Sequence, residues 1–523
     1  MRDPALRAAA AIGCVLLSFA CTPVKEKESP SSSGKGDAGK SGAAAGRAGG
    51  SAGTDSAAEA GEEATNTSGP QNGSAGEAPP PGSSGGSPNT GTDNGAAGKA
   101  GGTSAQAGAA GTVAAAGSGG SVASAASPVR GVLIDALRRP LTNVALRIGD
   151  QSVTTDGLGK FSADNVAPTY AVSFKLSTIV DRTPTTYAWR FEGLTRRDPT
   201  LQTYVAGEQQ LASLVWHTQG ATFPLAENQR MVACFGSADG DFSVGVNQAD
   251  YDSPLVFWSG PETTVGVTHG LLYTVSGPEE LPLEYLAHDA KPVTLTVGGD
   301  AEATFNFANM KPPSGTITGR VSVTGQGERE NWIVVRWTDG GQITIADDES
   351  PMEAFSYQVP TITNASAALV AMQGRYDSYP RAVAFADNLS AGQSGIQIDI
   401  PASSSLSAPG EGTMRVDAAT TFQWTGDAKV FVLVARAKQG YDKMYVVTSA
   451  KEAKLPIGEA TAYTPPAGAT FEWYVETHGA YVNLDEAAGS DGLISAFDGD
   501  LHGPRRGNGS FTVSALRTFV TAP

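Results

Sequence analysis

The chain has 523 residues, 40% of them apolar and 7% aromatic, with 53 acidic against 36 basic side chains and a formal charge of −17 at pH 7. Most of that excess falls in residues 128–523, which carry −15. An acidic surface repels phosphate backbones and anionic headgroups, which disfavours nucleic-acid binding and electrostatic membrane docking.

Arg2 and Arg7 precede an apolar run from Ala8 to Ala20, and Cys21 follows directly. A basic start, an apolar core of about 7–15 residues and a small residue at its end are the parts of a secretory signal. This segment resembles the signal peptide of bacterial lipoproteins, with residues 1–20 removed and Cys21 acylated. The resemblance implies a membrane partner held through several acyl chains on Cys21, since one chain alone binds only marginally. Thr22 stands where inner-membrane retention would call for Asp, so the resemblance implies the outer membrane of a bacterial cell envelope, with periplasmic and surface-exposed orientations both open. Cys14 would leave with the signal, which leaves Cys234 unable to form an intrachain disulfide. In Met231-Val232-Ala233-Cys234-Phe235 it reads as a buried small hydrophobe. No second apolar span reaches the ~18 residues of a membrane helix.

Residues 22–127 contain no Phe, Trp, Tyr, Leu, Ile or Met, and Val24, Val113 and Val122 are their only branched apolar residues. Too little apolar surface is present to offset chain entropy, so 21–127 reads as a disordered Gly/Ala/Ser-rich tether. A flexible chain of this length has a reach of about 50–60 Å.

From Ser127 onward, short β-branched and aromatic runs alternate with Gly, Pro, Asn and Asp. The pattern predicts an all-β chain of tandem β-sandwich modules. In Val144-Ala145-Leu146-Arg147-Ile148 and Tyr170-Ala171-Val172-Ser173-Phe174-Lys175, alternate apolar residues place one face of each strand in a core. Within 128–180, Gly131-Val132, Pro140-Leu141, Thr155-Asp156, Gly159, Phe161 and Tyr170-Ala171-Val172 resemble the carboxypeptidase regulatory-like domain, a transthyretin-like sandwich. The resemblance implies a non-catalytic module. Asp156-Gly157 and Gly159 are expected to supply positive-φ turn positions, with Phe161 returning to the core.

Residues 181–311 form a further β region of no evident family. Lys311-Pro312-Pro313-Ser314-Gly315 then marks a stiff connector, because successive prolines lack ladder donors. A third sandwich occupies 312–402, and its Gly319-Arg320-Val321 echoes Arg130-Gly131-Val132. Ser403 to Gly412 reads as another hinge. The last module, 403–523, contains Thr421-Phe422-Gln423-Trp424 and Phe471-Glu472-Trp473-Tyr474-Val475, which resemble the core strands of a fibronectin type III domain. That family implies adhesion or spacing.

Sites for chemistry are hard to find. His217, His269, His288, His478 and His502 lack the i, i+2 or i, i+4 spacing of a metal motif. Asp239-Gly240-Asp241 and Asp498-Gly499-Asp500 lack a calcium loop's closing Glu. No nucleophile elbow, phosphate loop or other cofactor signature occurs in 128–523. Glu472 and Glu476 share a strand face, read as a solvated edge.

Arg190, Arg196 and Arg197 form the main basic cluster and are the candidate contacts for an anionic glycan or protein ligand; the blander reading pairs them with Glu192 and Asp198. Trp189, Trp258 and Tyr376 would stack on sugars if exposed. The sequence therefore predicts a non-catalytic envelope lipoprotein for binding, adhesion or spacing. The alternatives are a carbohydrate-binding accessory protein and a hydrolase with scattered acidic residues. No cofactor, catalytic residue or oligomeric state is assigned.

Overall fold

The computed structural model describes residues 126–523 except 181–182, 206–208, 309–310, 325–326, 350, 376–377, 441, 459–462, 480 and 491–507. The expected signal peptide, Cys21 and nearly all of the expected tether lie outside the described residues, as do Tyr376, Asp498, Asp500 and His502. The described chain is all-β and forms tandem β-sandwiches.

The first sandwich contains β1 (Ser127–Ile134), β2 (Ala145–Ile148), β3 (Gln151–Thr154), β4 (Lys160–Val166), β5 (Tyr170–Val180), β6 (Thr183–Leu194) and β7 (Thr200–Gln202). Its sheets have the orders β4-β1-β7 and β3-β2-β5-β6, with β7 parallel to β1. The second contains β8 (Gln209–Gln219), β9 (Gln229–Ser237), β10 (Gly240–Gly245), β11 (Asp250–Ser259), β12 (Thr263–Ser276), β13 (Leu281–Thr296) and β14 (Asp300–Asn306). The third contains β15 (Ser314–Val323), β16 (Arg329–Trp337), β17 (Gln342–Asp348), β18 (Ala354–Pro360), β19 (Ala365–Gln373), β20 (Arg381–Leu389) and β21 (Ile396–Ile400).

Counted within each sandwich, all three have the same plan: the first strand lies between the fourth and a parallel seventh, opposite the order third-second-fifth-sixth. The shared Gly-containing openings have a physical role in that plan. Gly131 is the cross-strand partner of Phe161, and Gly319 of Phe355. A Cβ on Gly131 would lie 2.4 Å from the Phe161 ring and 2.5 Å from the Pro199 carbonyl oxygen; on Gly319 it would lie 2.6 Å from Phe355 and 2.1 Å from the Ile396 carbonyl oxygen. In both sandwiches a glycine makes room for a ring and for the seventh strand.

The fourth sandwich contains β22 (Ser405–Ala408), β23 (Thr413–Val416), β24 (Thr421–Thr425), β25 (Val430–Ala437), β26 (Lys443–Thr448), β27 (Glu452–Lys454), β28 (Thr470–His478), a one-turn helix α1 (Leu484–Ala487), β29 (Gly509–Val513) and β30 (Arg517–Thr521). Sheet β22-β24-β27 packs on the strands around β25 and β28 through Phe422, Trp424, Phe431, Leu433, Phe471 and Trp473. Trp424 and Trp473 are 3% and 0% exposed, as core residues must be.

Two local expectations need correction. The strands of the first sandwich continue past residue 180, because β5 and β6 form one hairpin and β7 closes on β1. In the turn before Phe161 only Gly159 takes a positive φ, of 70°; Asp156 holds the turn by accepting from the amides of Leu158 and Lys160.

The sandwiches are also not separate beads. A single 14-stranded sheet runs through three of them, its main path being β17-β16-β19-β20 from the third, β29-β28-β25-β26 from the fourth and β6-β5-β2-β3 from the first. The third joins the fourth where β20 pairs antiparallel with β29, and the fourth joins the first where β26 pairs in parallel with β6. The second sandwich contacts both neighbours in the chain. Arg139 of the first donates to the Ser259 carbonyl oxygen, and Asp241 of the second accepts from Gln342 of the third at 2.8 Å. The contacts thus form a closed circuit: first to second, second to third, third to fourth, and fourth back to first.

Burial follows this arrangement. Ile333, Val335 and Leu369 enter a core shared with Leu271, Tyr273 and Tyr285 of the second sandwich. Trp332, Val334 and Val370 belong to the core that contains Phe174, Trp189 and Phe191 of the first. Continuous apolar runs such as Trp332–Val335 are therefore buried on both faces, whereas strands with one solvated face alternate.

Candidate functional site

The region richest in polar groups is where the last sandwich closes onto the first. Six residues of β26, Lys443 to Thr448, pair with Tyr187 to Glu192 of β6. At one end of this ladder the Thr186 amide donates to Asp442 Oδ1 at 2.7 Å. Beyond β6, the amides of Thr195 and Arg196 both donate to Asp485 Oδ1 at 2.9 Å, and the Thr195 hydroxyl donates to Oδ2. Burial alone would raise the Asp485 carboxyl, but the Thr195 and Arg196 donors outweigh it and hold it below the ordinary aspartate value. The one-turn helix that carries Asp485 is started by Asn483, whose side chain accepts from the Glu486 amide.

The loop carrying Arg196 and Arg197 of the predicted cluster thus does clasp a carboxylate, and that carboxylate belongs to the same chain. Arg190 and Arg196 follow the blander pairing. Arg190 Nε lies 3.5 Å from Glu192 Oε2, and Arg196 Nε lies 2.8 Å from Asp198 Oδ1. Arg197 donates to the carbonyl oxygens of Val166 at 3.2 Å and Ala167 at 3.1 Å, with its guanidinium over the Tyr170 ring. Each arginine has its own intrachain partners.

Deeper in the same joint, Tyr204 packs edge-on against Trp189 and Tyr445. Its hydroxyl donates to Glu476 Oε2 at 3.2 Å and lies 3.3 Å from His478 Nε2. Glu476 and His478 are 1% and 3% exposed, so the reading of Glu476 as a solvated edge residue is overturned: the first sandwich covers it. Burial, then the Glu476 charge, drives the Tyr204 hydroxyl well above the ordinary tyrosine range. Glu472 pairs with Arg436 at 2.8 Å.

A second acid cluster lies at the far end of the long sheet. Trp332 is opposite Asp347 across the β16–β17 hairpin, and Glu330 lies two residues before it on the same face. Trp332 Nε1 donates to Glu330 Oε1 at 2.6 Å and to Asp347 Oδ1 at 2.9 Å. The two carboxyls are also hydrogen-bonded to each other; burial and then the Asp347 charge push Glu330 up to about 8.

The remaining candidates are structural. His217 Nδ1 lies 2.8 Å from Asp250, and His269 Nε2 lies 2.9 Å from Asp339. Asp239 accepts from the Thr264 hydroxyl at 2.7 Å. No group of three or more His, Cys, Asp or Glu fit to hold a metal occurs among the described residues. Cys234 is fully buried, and burial followed by the Asp241 charge raises its thiol. All seven tryptophans are at most 7% exposed, which removes Trp189 and Trp258 as sugar platforms. A cavity of about 270 Å³ in the second sandwich is lined by Gly220, Leu225, Leu272, Leu286 and Phe307 among others, and shares no residue with either acid cluster.

The Asp485 clasp and the Tyr204–Glu476–His478 cluster gave no sequence signal, because each joins residues more than 250 positions apart. The Glu330–Trp332–Asp347 group had one, since a hairpin over 329–348 puts all three on one face.

No family model matches the chain, and no curated protein matches it. Among solved structures it is similar to the Bacillus anthracis TIE protein, at 8% identity over 53% of this chain and 50% of that one, with a TM-score of 0.13. The chain thus spans half of that protein's length. It is also similar to a tetra-tandem repeat in the extending region of a large adhesion protein, at 10% identity, 76% and 99% coverage and TM-score 0.13. A third is a pair of B repeat units of the Staphylococcus aureus collagen binding protein, at 8% identity, 76% and 100% coverage and TM-score 0.13. The all-β architecture rests on the strand pairing described above and not on these likenesses.

Proposed function

We propose that this chain is a non-catalytic cell-envelope lipoprotein: acylated Cys21 fixes it to the outer membrane, 21–127 acts as a tether, and 126–523 is displayed as one stiff body for adhesion, binding or spacing. The observation that carries the second half of this reading is the closure of the fourth sandwich onto the first through β26 and β6 and through Asp485. A chain built only as an extensible string has no use for pairing its last module with its first. The polar clusters of the body are engaged internally, and the resemblance of 128–180 to a carboxypeptidase regulatory-like module and of 403–523 to a fibronectin type III domain agrees with a display role.

The anchoring half rests on Arg2, Arg7, the run Ala8–Ala20 and Cys21. Expression in a Gram-negative host with wild-type and Cys21→Ala chains tests it. The wild type is expected to fractionate with outer membranes and gain the mass of a lipidated cysteine, and Cys21→Ala to be soluble. Membrane retention of the variant, or an unmodified Cys21 in the mature wild type, refutes the anchor. Protease added to intact cells is expected to remove the sandwiches; complete protection refutes surface display.

A further inference from the structure

The joint between the second and third sandwiches contains a stack of three aromatic rings that the proposed function does not use. His269 on β12 and His288 on β13 lie with ring centroids 5.7 Å apart, and Trp337, from the end of β16, stacks with His269 at 4.2 Å and with His288 at 5.8 Å. The histidines belong to the second sandwich and the tryptophan to the third, so the stack straddles the joint. Backbones are in unusually close approach beside it: a Cβ on Gly236 of β9 would lie 1.9 Å from the Gly341 amide nitrogen. Cys234 of β9 is sealed under the same turn, with its Sγ 3.2 Å from where a Cβ on Gly341 would be.

The charged groups around the stack are already committed. Asp339, in the β16–β17 turn, is bonded to His269 Nε2 at 2.9 Å and accepts from the Gly341 amide at 3.1 Å. Asp289, next to His288 on β13, accepts from the amides of Ala290 and Asn306, and Lys291 Nζ lies 2.8 Å from it. Asp241 on β10 accepts from Gln342 Nε2 of β17 at 2.8 Å. The Cys234 thiol on β9 is neutral. His288 Nε2, His269 Nδ1 and Trp337 Nε1 are buried with no hydrogen-bond partner among the described residues. A proton added to His288 in the closed joint would therefore sit beside a second imidazole with no acceptor at the buried nitrogen.

We propose that acid loosens the joint between the second and third sandwiches through His288, exposing Cys234 while the rest of the body stays folded. The closed joint holds the His288 imidazole down to about 4, through burial first and the His269 charge second, with Asp289 opposing. Exposed to water, the same ring takes a proton near 6.5. The sign follows directly. The open form binds a proton that the closed form refuses, so opening gains up to about tenfold per pH unit as pH falls from 6.5 toward 4.

Cys234 supplies the readout. The full-length protein is treated with 4,4′-dithiodipyridine near pH 7.5 and near pH 5, and modification of the Cys234 peptide is followed by mass spectrometry, normalised to a free cysteine peptide. Far-UV circular dichroism is recorded in parallel. The expected result is at least about a tenfold rise in Cys234 labelling at the lower pH with an unchanged spectrum, and no such rise in His288→Phe. His288→Gln serves if the phenylalanine variant does not fold. No rise in the wild type, an equal rise in the variant, or loss of the spectrum along with the rise would each overturn the proposal.

Discussion

Gly236 and Gly341 meet backbone to backbone across the joint of the second and third sandwiches, so closely that a Cβ on Gly236 would lie 1.9 Å from the Gly341 nitrogen and 2.2 Å from its Cα. Neither glycine has a positive φ, so chain conformation is not what requires them. The requirement is space. Such contacts make a joint stiff, because neither surface has a side chain that can rotate away.

Gly236→Ala should therefore force the second sandwich away from the third. The expected cost is about 1–3 kcal/mol or more, the range for overpacking a site that cannot relax. Gly245→Ala is the matched control: it is also a strand glycine, and a Cβ there would meet nothing within 4 Å. Urea unfolding of the two variants measures the difference, and equal midpoints would show that the joint yields easily.

The clasp on Asp485 makes a different prediction for each partner. Its carboxylate is held by the amides of Thr195 and Arg196 and by the Thr195 hydroxyl, while the Arg196 side chain pairs with Asp198. Asp485→Ala should cost about 1–2 kcal/mol, the worth of charge-assisted hydrogen bonds in a partly exposed setting. Arg196→Ala should cost much less, because its backbone is what binds. The Asp485 carboxyl is held below the ordinary value, so its contribution is complete above the unfolded value of about 3.8 and disappears as pH falls through the folded one. Denaturant titrations near pH 7 and near pH 3 should thus show the wild type and Asp485→Ala converging in acid.

What could be read in advance follows from the range of each interaction. Leu146, Ile148, Val172 and Phe174 were legible as core residues because a strand's two-residue period is written in its own neighbours, whereas Trp424 and Trp473 were expected in a core from the resemblance to a fibronectin type III domain. Gly131 and Gly319 carried the hint of a repeated plan, and the structure gives it content: each makes room for a ring two or more turns downstream. The pairing of β26 with β6 could not be read, since parallel pairing between strands some 250 residues apart leaves no local pattern. For the same reason the three-arginine cluster offered only two readings, pairing with the nearby Glu192 and Asp198 or an external anion. Its loop does bind a carboxylate, but Asp485 lies in a one-turn helix within a Gly- and Asp-rich stretch that gave no hint of facing it.

Hidden burial also decides where pH acts. Glu330 looked like one acid among many, yet with Asp347 it accepts from the Trp332 indole, and burial with the Asp347 charge carries it up to about 8. A carboxyl raised in the folded state stabilises fully below its unfolded value of about 4.5, and that contribution is lost as pH rises toward 8. The wild type should therefore be less stable near pH 9 than near pH 5, by on the order of 1–2 kcal/mol after solvent screening of this partly exposed pair, and melt at a lower temperature. Glu330→Gln keeps a donor facing Asp347 and cannot ionise, so its melting temperature should change less over the same interval. This places the alkaline weak point at the β16–β17 hairpin and the acidic one at the neighbouring second-to-third joint. Thermal melts of wild type and variant at both pH values test it: parallel pH dependence in the two proteins would move the alkaline loss to some other group.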